Sequence, residues 1–73
     1  MNATIEALNT ICKGWTESQA GGLLCNPSPA GGIIDSEIKS GEWFVIFNDN
    51  RETKSGYESR WEAVEAFRNG GAQ

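Results

Sequence analysis

Five large apolar residues are consecutive at one place in the chain, Trp43 to Phe47, inside the run Glu42-Trp43-Phe44-Val45-Ile46-Phe47-Asn48. A strand alternates its side chains, so Trp43, Val45 and Phe47 share one face while Phe44 and Ile46 share the other. Ile33 to Lys39 also alternates, and Ser40-Gly41 reads as a two-residue turn joining it to the central strand. Lys39 then stands opposite Glu42, and Ile38, Ser36 and Ile34 pair with Trp43, Val45 and Phe47 on one face. Glu37 beside Phe44 and Asp35 beside Ile46 fall on the opposite face.

Asp49, Asn50 and Arg51 suit a second turn. A two-residue loop would bury Lys54 beside Val45 and Glu52 beside Phe47, which desolvation disfavours. A three-residue loop sets Thr53, Ser55 and Tyr57 beside Phe47, Val45 and Trp43, with Lys54 and Gly56 outward. Ser59-Arg60-Trp61-Glu62 has the form of a capping box. In the helix that follows, Trp61, Val64 and Phe67 fall on one side, and Asn69-Gly70-Gly71 is expected to end it.

The N-terminal pattern is weaker. Ile5, Leu8, Ile11 and Cys12 recur at helical steps, giving a short helix begun by Asn2 or Thr4 and stopped near Gly14. Gly14 to Gly32 is dense in glycine and proline and reads as loop, although Trp15, Leu23 and Leu24 are more apolar than a spacer needs. They either pack back on the domain or anchor a flexible arm on a target. The expected fold is α+β: a three-stranded antiparallel sheet packed on one C-terminal helix. Residues 1–32 are a flexible arm with a short helix, 33–69 the sheet-plus-helix domain and 70–73 a disordered tail.

Seventy-three residues with 38% hydrophobic content make one small domain. The net charge of -4 works against nucleic-acid backbones. Arg51, Lys54, Arg60 and Arg68 are interleaved with Asp49, Glu52, Glu58, Glu62 and Glu65, the pattern of a mixed solvated surface. With no histidine and no Cys-x-x-Cys spacing, neither a metal site nor a cofactor is expected. Cys12 and Cys25 are read as free thiols of a cytoplasmic protein, because no secretion signal or membrane-length apolar run is present. A general base near neutral pH would need a deeply buried carboxylate or lysine, which the pattern does not place, so no enzyme is expected.

The outer face is therefore the candidate site. Phe44 and Ile46 are its anchors, Asp35, Glu37 and Lys54 its charged members, and Ile5, Leu8, Trp15, Leu23 and Leu24 belong to the binding arm. The expected partner is a protein, with a homodimer through the outer faces or edge strand as a rival to a monomer.

Gly41 to Phe47, Ser55-Gly56-Tyr57 and Glu62 to Phe67 together resemble the strand-strand-helix pattern of the DNA-binding domains of phage integrases and plant-type AP2 proteins. That resemblance implies a sheet that reads duplex DNA. The outward positions here are Phe44 and Ile46, flanked by Asp35 and Glu37, where those families place Arg or Lys. In length, acidic charge and inferred architecture the chain is also similar to small phage-encoded regulators of host RNA polymerase. This second resemblance implies a regulator in the host cytoplasm that binds the polymerase, inhibits initiation and alters termination.

Overall fold

A computed structural model describes residues 3–10, 13–18 and 22–71. Asn2, Ile11, Cys12, Gly21 and residues 72–73, to which the sequence assigns a helix start, a helix face with a thiol, a loop and a tail, lie outside the described residues. Helix α1 (Ala3–Asn9) is followed by strands β1 (Thr16–Glu17), β2 (Leu24–Cys25), β3 (Gly32–Ser36), β4 (Trp43–Phe47) and β5 (Thr53–Tyr57), then by helix α2 (Arg60–Gly71). The strands form one antiparallel sheet in chain order.

The α+β class, the antiparallel sheet and the C-terminal helix match the expectation; among the described residues the sheet has five strands, where three were expected. β1 and β2 have two residues each, too few to display an alternation amid glycine and proline. Leu24 pairs with Ile34 and extends the inner row Leu24, Ile34, Val45 across three strands, all with 0% exposure. Leu8 and Trp15 are buried in the same cluster, and Ile5 packs against it. Ile5, Leu8, Trp15 and Leu24 are thus core or core-packed residues, unlike the expected anchors of a binding arm. Burying such side chains stabilises by about 1.5–3 kcal/mol each, which binds the segment to the body.

Both hairpins turn differently from expectation. Glu37 N–H donates to Glu42 O at 2.8 Å, and Phe47 N–H donates to Glu52 O at 2.9 Å, so each loop has four residues, 38–41 and 48–51. In the first, Ser36 pairs with Trp43 and Ile34 with Val45, a two-residue slip from the expected register. Because side chains alternate with period two, that slip leaves every strand residue on its expected face. It does move Ile38 off the sheet, where it is 98% exposed.

In the second hairpin Trp43 pairs with Tyr57 as expected, but the register shifts between Trp43 and Phe44. Gly56, at a φ of 92°, is the extra residue of this bulge, a conformation that glycine adopts without a Cβ penalty. Ser55 and Thr53 therefore pair with Phe44 and Ile46, and Lys54 pairs with Val45 on the helix side. The desolvation that argued against this register is not incurred, because β5 is an edge strand. Lys54 stays 51% exposed and lies 3.8 Å from the Glu52 carboxylate.

Ser59 Oγ accepts from Glu62 N–H at 3.2 Å and caps α2 as expected. Ala63, Val64 and Phe67 form the buried stripe, whereas Trp61, expected on that side, is 44% exposed. The helix runs through Asn69 and Gly70 rather than ending there. A Cβ on Gly70 would lie 2.9 Å from Phe47 Cζ, so this glycine permits close approach. At the centre, the Phe67 ring stacks on Phe47 at 4.6 Å and meets Trp15 edge-on at 5.1 Å. A Cβ on Gly32 would collide with Ile46 O and lie 2.7 Å from Phe67 Cε2. Gly32→Ala is accordingly expected to cost about 3 kcal/mol, the upper end for overpacking, read as a lowered midpoint in urea denaturation.

Candidate docking face

The side of the sheet away from α2 is built from the alternate positions of the same strands. Thr16, Cys25, Ile33, Ile46 and Thr53 follow one another across all five strands, and Asp35, Phe44 and Ser55 form the next row. Both helices pack elsewhere: α2 lies on β3, β4 and β5 through the inner row, and α1 lies on α2. Among the described residues no helix covers the outer rows. Ile33 is 37% exposed, while Phe44, Ile46 and Cys25 are half-buried by their neighbours.

Around this floor the β2–β3 loop is held by two asparagines. Asn26, with 2% exposure, donates from Nδ2 to Lys13 O at 3.1 Å and accepts at Oδ1 from Ser28 N–H at 2.9 Å. Asn48 Nδ2 donates to Asn26 O at 2.7 Å and to Ser28 O at 3.0 Å, tying that loop to the end of β4. The tie fixes exposed Pro27 and Pro29 as one wall of a depression of about 850 Å³. Cys25, Ile33 and Ile46 form its floor, and Asp49 and Arg51 stand on the other rim.

Of the residues the sequence nominated, Phe44, Ile46 and Asp35 come together on this face. Asp35 stands opposite Phe44 rather than Ile46, and its Oδ1 accepts from Ser36 N–H at 2.8 Å. Glu37, exposed at the end of β3, pairs with Glu42 and so does not stand directly opposite Phe44. Lys54 lies on the opposite face, where with Glu52, Phe47 and Gly70 it borders a second depression of about 360 Å³. Leu23 precedes Leu24, so alternation places it on the outer side, half-buried.

Sequence reasoning missed Ile33, Cys25, the two prolines and Arg51 as members. Ile33 was legible, since it alternates with Ile34. The loop residues were not, because asparagine hydrogen bonds across the fold bring them there.

The face offers contact more readily than chemistry. Cys25 Sγ lies 3.7 Å from Thr16 Oγ1, a hydroxyl and not a base that would activate a thiol. Among the described residues no group of three or more His, Cys, Asp or Glu could hold a metal ion, and no helix is long and apolar enough to cross a membrane. In comparisons with known proteins, no protein family, curated protein or solved structure matches the chain.

Two substitutions probe the rim. Asn48→Ala removes the amide that ties the Asn26 and Ser28 carbonyls to the end of β4 and is expected to cost about 2 kcal/mol, with faster amide exchange at Gly31. Arg51 holds a φ of 61° at the last loop position, where Gly41 at 75° closes the other hairpin. Arg51→Gly is therefore expected to raise thermal stability by about 1 kcal/mol, the penalty of a side chain in left-handed backbone.

Proposed function

We propose that the protein is a non-enzymatic regulator that acts by binding another protein through the outer face of its sheet. One observation carries the reading: among the described residues no helix lies over the apolar floor of Ile33, Phe44 and Ile46, although the opposite face already has a core. Surfaces of that kind mark interaction sites in small folded domains. Phe44 and Ile46 supply the buried anchors, and Asp35 complements a basic partner surface.

RNA polymerase of a bacterial host is the favoured target, with inhibition of initiation and altered termination as the outcome. This part rests on the resemblance to small phage regulators. A duplex-reading sheet fits less well, because the outward strand positions 16, 25, 33, 35, 44, 46, 53 and 55 carry no Lys or Arg. Arg51 is on the rim alone with Asp49 beside it.

The test is retention of purified bacterial RNA polymerase by the immobilised wild type and by Phe44→Ser/Ile46→Ser, with circular dichroism showing that the variant is folded. Loss of two anchors is expected to weaken retention by at least about tenfold. Equal retention by both proteins would remove the outer face from the mechanism, and failure of the wild type to retain the enzyme would remove the polymerase.

A further inference from the structure

Resting on the reading of the outer face as a protein-docking surface, we infer that its occupant is a basic amphipathic α-helix of the partner, laid along β3 and β4. The first reason is where the backbone hydrogen bonds go. β4 lies between β3 and β5, and β3 is paired with β4 along its length and with β2 at Ile33 and Ile34, so the backbone groups beneath Ile33, Phe44 and Ile46 are already paired. The face therefore offers side chains alone. An extended segment laid across Ile33, Phe44 and Ile46 would have its own backbone groups removed from water without acceptors or donors to replace it. A helix brings those groups already satisfied and needs only an apolar stripe.

An extended segment would turn instead to the free edge of β5, and that edge is poorly suited. The bulge at Gly56 interrupts its pairing geometry, and Lys54 lies on the same strand.

The second reason is charge. Asp35 stands beside Phe44 near one end of the apolar floor, and Asp49 at the other end on the rim of the depression, with Arg51 as the adjacent cation. With the chain at -4, a helix with Lys or Arg flanking its apolar stripe is drawn to the face, while a second copy of this chain is repelled. The dimensions agree. A five-residue strand spans about 17 Å, matched by about 11 residues of helix.

A displayed library of random peptides about 16 residues long, enough for about four helical turns, selected on the wild type separates the outcomes. Each recovered peptide is then measured against Phe44→Ser/Ile46→Ser and against Ile33→Ser, a milder change at the most exposed apolar position of the face. Expected are peptides weakened at least about tenfold by these substitutions, with apolar residues at three- and four-residue steps. They should carry excess Lys and Arg and gain helical circular dichroism on binding, and Asp35→Asn should reduce their affinity. Face-dependent peptides that alternate with period two, or that are acidic, would overturn the helix while leaving the docking face intact. So would a doubled mass in sedimentation that Ile33→Ser abolishes. Retention indifferent to all three substitutions, or no retained peptide, would overturn the docking face and the helix together.

Discussion

The contact on which the rest of this structure depends is the seating of Phe67 over Gly32. With no side chain at that strand position, the helix comes down until the ring meets the sheet and stacks on Phe47. The remaining edge of the ring is closed by Trp15 from the N-terminal segment. The consequence reaches beyond packing. A small chain has little apolar material to distribute, and the segment that could have covered the other side of the sheet is drawn to Phe67 instead. The indole does so although its Nε1–H is buried without an acceptor among the described residues, a cost of about 1–3 kcal/mol that its ring contacts must exceed. The bare outer face follows from the way the inner one is completed.

What could be read from the sequence was what depends on period: the two faces of the Trp43 to Phe47 strand, the capped helix after Ser59 and the antiparallel order of the last three strands. What could not be read was what depends on turn length. Both long hairpins use four-residue loops with a left-handed residue at the last position, glycine in one and arginine in the other. The arginine conceals the likeness, since left-handed backbone is usually announced by Gly, Asn or Asp. An error of two residues in the first hairpin left Phe44, Ile46 and Asp35 on the correct face, whereas an error of one in the second sent Lys54 to the wrong one. Local patterning thus located the apolar part of the candidate site and misplaced a charge.

The asparagines mark a different limit. Asn26 and Asn48 sit among glycine, proline and aspartate and read as ordinary turn formers. Their amides instead span the fold, from Asn26 to Lys13 and from Asn48 to Asn26 and Ser28. Partners so far apart in sequence leave no periodic trace, although they decide where Pro27 and Pro29 stand. Rigidity of that wall matters for docking, because a loop already ordered loses less conformational entropy when a partner arrives.

An apolar face on an acidic domain raises the question of why the domain would not pair with itself. Sheets most easily associate through their edges, and both edges here are poor templates. β1 has two residues, and β5 carries a bulge and a lysine. Self-association through the faces would bring two chains of charge -4 together, each with Asp35 at one end of the patch and Asp49 at the other. Among the described apolar residues of the outer rows Ile33 is exposed at 37%, while Phe44, Ile46 and Cys25 are half-buried, which limits what a second copy could cover. The same features that discourage self-pairing leave one route open. A partner that brings opposite charge and a backbone already satisfied avoids the repulsion and the unpaired amides, and retains the gain from covering the floor.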